Sequence, residues 1–183
     1  MYDIIGDIHG RADELEALLL KLGYQRQGTV YKHPERKAIF VGDFIDGKGQ
    51  HRKTVDICRS MVEQESALAV MGNHEFNAIC YSIPDNTGDY LRHHNEKNIR
   101  DHAEFIAEFP FGSHRHQETI DWFKSLPLFV GHYWMDGNPG ALSETVACVD
   151  YTVARPAGKL VAYRWSGEQK LEQNNFIWVD RHL

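Results

Sequence analysis

Three short polar segments contain the side chains that could do chemistry together: Gly6-Asp7-Ile8-His9-Gly10, Gly42-Asp43-Phe44-Ile45-Asp46 and Gly72-Asn73-His74-Glu75. Their aspartate carboxylates, histidine rings and asparagine amide would repel one another, or leave hydrogen bonds unmade, unless a cation lay among them. Divalent metal ions bind this mixture of ligands well. Each segment alone is also consistent with a turn or a helix cap. The three together, each beginning with glycine after an apolar run, predict a metal site.

The elements that position these segments are apolar runs of strand length at 1–5, 38–41 and 67–71. We predict a buried strand for each run, so the polar residues lie where strands end, which is where α/β proteins bind ligands. Helices are predicted between the strands, at 13–23 with a leucine stripe and at 50–64. This alternation of strand and helix predicts βαβ units.

The later part of the chain has another pattern. Helices are predicted at 99–109 and 117–126, and a short strand at 128–130. Three further strand-length segments, separated by proline, glycine and serine, follow at 146–149, 160–165 and 176–179. The last two are predicted to pair as a hairpin. Early βαβ units and a late antiparallel meander indicate an α/β protein with two packed mixed sheets flanked by helices.

Length and composition exclude several classes of protein. A chain of 183 residues, 42% hydrophobic and 25% charged, is ordinary for one globular domain, and we expect a single domain over 1–183. The net charge of −6 and the lack of a basic patch argue against a nucleic-acid partner. Three scattered cysteines do not suggest a disulfide framework. No apolar run approaches the length of a membrane span, and the chain opens on a predicted strand rather than a signal peptide. We therefore expect a cytoplasmic protein with no membrane partner.

Together with Gly131-His132, the three segments resemble the ordered motifs of the calcineurin-like metallophosphoesterases. The likeness is greatest to the phosphoprotein phosphatase branch, with its bacterial serine/threonine phosphatases and diadenosine tetraphosphatase-like enzymes. It runs along nearly the whole chain in outline. The resemblance implies a four-layer α-β-β-α sandwich with two mixed β-sheets, formed by one metallophosphoesterase domain.

The resemblance also implies a binuclear metal centre. One divalent ion would be held by Asp7, His9 and Asp43, and a second would share Asp43 and take Asn73 and His132. A water between two ions roughly 3.5–4 Å apart loses a proton readily, and the hydroxide would attack phosphorus. Manganese is the expected metal, and iron or zinc also suit these ligands.

His74 matches the family's general acid, which would protonate the departing oxygen. Asp46 would accept a hydrogen bond from its ring and fix the tautomer. A positioned proton donor typically contributes about 10²–10⁴-fold to a rate. The alternative for His74 is a purely structural histidine.

Two departures from the family pattern affect the expected site. The family has Asp-Arg-Gly where this chain has Asp46-Gly47-Lys48, so the bidentate arginine is absent. We predict Lys48 and Arg52 as phosphate-binding residues, with Lys53 as another candidate. A further metal histidine is usual before the Gly-His segment, but here Val130 runs directly into Gly131. Either the second ion has fewer protein ligands or a stretch is missing from the sequence.

Other polar and aromatic residues have plain structural interpretations. We expect solvated surface positions for four histidines and a helix face for another, namely His93, His94, His114, His116 and His102. Tyr133 and Trp134 are expected to pack rather than to stack on a base. Asp150 is expected to be structural.

The function predicted from these features is metal-dependent hydrolysis of a phosphate monoester, with a phosphoprotein of the serine/threonine type or a small phosphoester as substrate. One alternative is symmetrical hydrolysis of diadenosine tetraphosphate. Another is a degenerate protein that binds metal and phosphate without turnover. Retention of His74 favours an enzyme, because a pure binder has little use for a proton donor.

Overall fold

Residues 1–124 form the first of two compact units in a computed structural model of the chain, which describes residues 1–47 and 49–181. Its elements, in order, are β1 (Tyr2–Ile5), α1 (Ala12–Lys21), β2 (Gln25–Gln27), β3 (Val30–Lys32), β4 (Lys37–Phe40), α2 (His51–Glu63), β5 (Ala67–Ala69), α3 (Asn73–Ser82), α4 (Glu96–Glu108) and α5 (His114–Ser125), the last of which ends at the boundary of the unit. The predicted alternation of strand and helix is confirmed.

A three-stranded parallel sheet in the order β1-β4-β5 carries the three polar segments. Ile5 lies opposite Phe40, and Phe40 lies opposite Ala69. Because the three strands are parallel, their carboxyl ends meet at one edge of the sheet. The segments that follow them therefore start side by side, as the sequence predicts.

Helices α1 and α2 bury most of the apolar residues that the sequence pattern directs inward. Leu15 and Leu19 of α1 are buried, and so are Val55, Cys58 and Met61 of α2. Burial of each such side chain stabilises the fold by about 1.5–3 kcal/mol. The segment between α1 and β4 forms the hairpin of β2 and β3, one of the two structures expected there.

The second unit begins at Ser125 and includes the described residues from there to 181. Its strands are β6 (Leu128–Val130), β7 (Val146–Cys148), β8 (Asp150–Tyr151), β9 (Lys159–Tyr163) and β10 (Phe176–Asp180). β6 and β7 pair in parallel, while β8, β9 and β10 form an antiparallel sheet. The predicted hairpin of the last two strands is confirmed, and residues of this unit pack a small core of their own: Ala147, Tyr151, Val161, Leu171 and Phe176.

The chain has the α/β class that the sequence predicts. Within the described residues the strands form four small sheets, each purely parallel or purely antiparallel. Most of the strands are only two to four residues long. The single domain over 1–183 stays a prediction. The three cysteines are free, with Cys58 and Cys148 buried. Among the described residues, no helix has the length and apolar character to cross a membrane.

Candidate metal centre

Three side chains converge at the edge where β1, β4 and β5 end. One nitrogen of His9, one carboxylate oxygen of Asp43 and one nitrogen of His74 lie within 4.8 Å of one another. His9 lies in the loop after β1, Asp43 in the loop after β4, and His74 in the first turn of α3, after β5. All three are partly buried, so they are shielded but still reachable from solvent. The set can therefore bind a small cation.

The ring of His9 is oriented for metal binding. Its Nδ1 is 2.9 Å from the carbonyl oxygen of Ile45. Because a carbonyl only accepts hydrogen bonds, Nδ1 carries the proton and Nε2 keeps its lone pair. Asp7 Oδ2 lies 4.0 Å from that Nε2, so the exposed Asp7 carboxylate is near the same lone pair. This pair fits the first ligand set that the resemblance implies.

Asp43 makes hydrogen bonds to the segments that follow β1 and β5. Its carbonyl oxygen accepts the amide hydrogens of Ile8 and His9 at 3.0 and 2.9 Å. Its Oδ1 accepts the amide hydrogen of His74 at 3.0 Å. Asp43 takes a left-handed backbone conformation with φ 53°, as does His9 with φ 48°. Such strained residues persist where the surrounding contacts fix them, and they concentrate at functional sites.

Glu75 is the buried carboxylate beneath the site, and sequence reasoning missed its role. It is fully buried and accepts three backbone amide hydrogens, from Asp43 at 2.7 Å, Phe44 at 2.8 Å and Gly72 at 3.1 Å. Burial raises the pKa of Glu75 to about 7, although the three amides favour its charged form. The signal in the sequence was its position three residues after Gly72, the spacing of a capping box.

Asp46 connects two histidines. Its Oδ2 is 3.2 Å from His74 Nδ1, so the hydrogen bond predicted between these residues is present. Its Oδ1 is 2.7 Å from Nδ1 of His102, on α4. The second contact was not predicted, because the two residues are 56 positions apart and no local pattern links them.

The glycines of these motifs allow the loops to approach closely. A Cβ on Gly72 would overlap the Oδ1 and backbone nitrogen of Asp43, and a Cβ on Gly42 would overlap the backbone of Gly72. Gly42 also has a positive φ of 97°, which disfavours other residues. At both positions, atoms of the neighbouring loop occupy the space that a side chain would need.

Replacing Gly72 with alanine should destabilise the fold by about 1–3 kcal/mol, because the added methyl group must displace Asp43. Denaturant unfolding and calorimetric titration with Mn²⁺ would measure the lost stability and the weakened metal binding. Gly6→Ala is the matched control, since a Cβ there meets nothing within 4 Å. Wild-type stability and metal affinity in Gly72→Ala would contradict this account of the loop contact.

The remaining predicted site residues lie in several places. Asn73 is exposed at the first residue of α3. His132 belongs to the second unit, where it is exposed and its amide donates to Asp150 Oδ2 at 2.9 Å. The guanidinium of Arg52 donates to the carbonyl oxygen of Glu108 at 2.7 Å. Lys48 lies outside the described residues.

Several histidines and aromatics differ from their expected environments. His116 is buried on α5 rather than solvated, because α5 begins at His114 and turns this residue toward the aromatic core. His94 is partly buried, stacked on Tyr81 and Tyr90. The packing expected for Tyr133 and Trp134 is wrong, since these side chains are 71% and 53% exposed.

Comparisons with known proteins agree with the motifs. A family model described as calcineurin-like phosphoesterase matches residues 2–182. A bis(5'-nucleosyl)-tetraphosphatase PrpE of the asymmetrical type from Geobacillus sp. is 49% identical over 73 residues, which are 39% of this chain and 30% of that protein. A protein of the same name from Anoxybacillus flavithermus is 47% identical over 75 residues, 40% of this chain and 31% of that protein. The matched segments thus span less than a third of these relatives.

Among solved structures, the chain is similar to a mutant of a cold-active protein tyrosine phosphatase. The identity is 15%, the TM-score is 0.49, and the alignment covers 75% of this chain and 42% of that one.

Proposed function

Because this chain belongs to the calcineurin-like phosphoesterase family, we propose that it hydrolyses phosphoesters at the edge where β1, β4 and β5 end. The observation that carries the proposal is the convergence of His9, Asp43 and His74 within 4.8 Å at that edge. The free Nε2 of His9 and the carboxylate of Asp43 suit a divalent metal ion. The imidazole of His74 lies beside them, where it could give a proton instead of binding the ion. The same three residues come from the three motifs on which the family resemblance rests.

The ligands of the proposed centre divide between two ions. Asp7, His9 and Asp43 would hold one, and Asp43, Asn73 and His132 would hold the other, with manganese as the first choice of metal and iron or zinc as alternatives. When bound, such ions make a water acidic and neutralise charge on phosphoryl oxygens. The chain's own contribution is to orient the ligands. The hydrogen bond between His9 and Ile45 fixes the His9 ring, and hydrogen bonds of the backbone of Asp43 fix the loop that carries its carboxylate.

His74 would act as the proton donor to the departing oxygen. Asp46 engages its Nδ1, which leaves Nε2 to face a substrate. Its ring centroid lies 4.8 Å from that of His9, so the donor is next to the proposed metal ligands. The side chain of Asp46 is only 7% exposed, which shields this hydrogen bond from water. A carboxylate buried in this way keeps the imidazole in one tautomer.

The relatives point to a dinucleoside tetraphosphate as the first substrate to test, since they are named asymmetrical bis(5'-nucleosyl)-tetraphosphatases. A phosphomonoester, including phosphoserine or phosphothreonine in a protein, is the second candidate. The observation in its favour is the Asp46–His74 pair, because an alkoxide leaving group needs a proton more than a phosphate does. Arg52 contributes less support to phosphate binding, as its guanidinium already donates to Glu108.

Metal-stripped protein reconstituted with Mn²⁺ should cleave diadenosine tetraphosphate, and chromatography of the nucleotides would identify the bond that breaks. ATP and AMP would indicate the asymmetrical reaction, and two molecules of ADP the symmetrical one. Phosphoserine peptides and p-nitrophenyl phosphate should be assayed beside it, with Asp43→Asn as the control without a bridging carboxylate. If folded, metal-loaded protein hydrolysed none of these substrates, the proposal of an enzyme would be wrong. The remaining interpretation would be a protein that binds metal and phosphate without turnover.

A further inference from the structure

His102 lies behind the proposed proton donor, although no motif marks it. It is on α4, in a pocket with the rings of Tyr81 and Phe105, whose centroids are 4.9 and 4.8 Å from its own. Its side chain is 4% exposed, and its Nδ1 lies 2.7 Å from Asp46 Oδ1. The Asp46 carboxylate therefore has a histidine on each oxygen, His74 on the solvent side and His102 on the buried side.

The direction of the hydrogen bond between His102 and Asp46 follows from the chemistry of the two groups. An ionised carboxylate only accepts hydrogen bonds, so Nδ1 of His102 must donate. Its Nε2 is buried and has no hydrogen-bond partner within residues 1–47 and 49–181. A buried, unpaired polar atom costs free energy, and an apolar side chain would fill this aromatic pocket without that cost. The bond to Asp46 is thus the interaction that accounts for a histidine here.

Asp46 needs support at both oxygens. Its backbone is in the left-handed region with φ 58°, a conformation that costs energy for a non-glycine residue. Without a donor on Oδ1, the carboxylate could rotate about its Cβ–Cγ bond and lose its alignment with the ring of His74. The hydrogen bond from His102 stops this rotation.

We propose that His102 is a positioning residue that holds the Asp46 carboxylate so that its Oδ2 stays on His74 Nδ1. The kinetic part of this inference rests on the proposed function, in which His74 gives a proton to the leaving oxygen. Loss of His102 would then slow the chemical step, most of all for substrates whose leaving group requires that proton.

Two substitutions of His102 distinguish the effect of its hydrogen-bond donor from the effect of its side-chain volume. Asparagine carries its amide nitrogen on Cγ, where histidine carries Nδ1, so His102→Asn can still donate to Asp46. His102→Leu fills the pocket and cannot donate. His116→Leu is the control, because His116 is also a buried helical histidine near Phe105 but contacts Ser82 and Gly112 instead of Asp46.

The variants should be compared on phenyl phosphate and p-nitrophenyl phosphate with the Mn²⁺-loaded protein. In His102→Leu, kcat on phenyl phosphate should fall by roughly ten- to a hundredfold. This is the range found when a group that orients a metal-binding side chain is removed, and His102 orients Asp46 in the same way. The fall on p-nitrophenyl phosphate should be smaller, because p-nitrophenolate leaves without protonation. His102→Asn should recover most of the loss, and His116→Leu should show no difference between the substrates. Equal losses on both substrates would overturn the proposal.

A second readout does not depend on activity. In long-range ¹H–¹⁵N spectra of the metal-free protein, His102 should appear as the Nδ1–H tautomer. The Nδ1 proton of His74 should be protected from exchange with water in wild type and His102→Asn, and should lose that protection in His102→Leu. A His102 carrying its proton on Nε2, or a His74 proton unchanged in His102→Leu, would overturn the proposal. An inactive wild type with the expected spectra would instead refute the proposed function and leave the positioning contact in place.

Discussion

Replacing His74 with asparagine should lower kcat for phosphoester hydrolysis by about 10²–10⁴-fold, the usual contribution of a positioned proton donor. Asparagine has an amide nitrogen on Cγ and can keep the hydrogen bond to Asp46 Oδ2, which His74 makes at 3.2 Å. What it lacks is the Nε2 proton that, in the proposed function, His74 gives to the departing oxygen. The change thus removes the proton donor and spares the neighbouring carboxylate, so KM should change little.

Steady-state kinetics on an alkyl or phenyl phosphate would measure this loss. His93→Asn is the matched control, since the exposed ring of His93 pairs with Asp89, four residues earlier in the chain, at 2.7 Å. That variant should keep the wild-type rate. A His74→Asn enzyme with undiminished kcat would show that the departing oxygen obtains its proton elsewhere.

Replacing Glu75 with alanine should lower the free energy of unfolding by more than about 3 kcal/mol, because three buried amides would each lose their acceptor at about 1–3 kcal/mol per group. The amides belong to Asp43, Phe44 and Gly72, so both loops that flank the carboxylate would lose an anchor. The side chain is fully buried, and its removal would also leave a cavity. Urea unfolding monitored by tryptophan fluorescence would measure the change.

The control for Glu75 is Glu63→Ala, at the last residue of α2. Glu63 is exposed and pairs with Arg59 at 2.7 Å, four residues earlier on the helix. An exposed pair of this kind contributes about 0.3–0.5 kcal/mol. If Glu75→Ala were as stable as Glu63→Ala, the amides of the site loops would have to be satisfied by water, and the role assigned to Glu75 would be wrong.

The strands, most helices and the three motifs could be predicted from the sequence because their signals are local. Apolar runs of four or five residues mark β1, β4 and β5, and glycine marks the turn after each. Parallel pairing then brings the ends of these strands to one edge, which places Asp7 and Asp43 in neighbouring loops and Asn73 beside them at the start of α3. The Asp46–His74 hydrogen bond follows from the same alignment.

The residues beneath the site could not be predicted, because their contacts join distant parts of the chain. His102 meets Asp46 only when α4 packs against the loop after β4. Glu75 has the spacing of a helix cap, yet two of its three amides come from residues more than thirty positions earlier. Burial of His116 depends on where α5 begins, and helix boundaries are the least certain part of a sequence prediction.

The amides bound by Glu75 and Asp43 also determine how metal binding relates to folding. The site loops are joined by hydrogen bonds from the chain's own groups, from Gly72 and Asp43 to Glu75 and from His74 to Asp43. In small zinc domains the ion supplies the free energy that folds the chain, and chelators denature them. Here hydrogen bonds between the chain's own groups join the segments that carry His9, Asp43 and His74, so we expect the chain to stay folded when a chelator removes the ion. We then expect one divalent ion to exchange for another without unfolding of the protein.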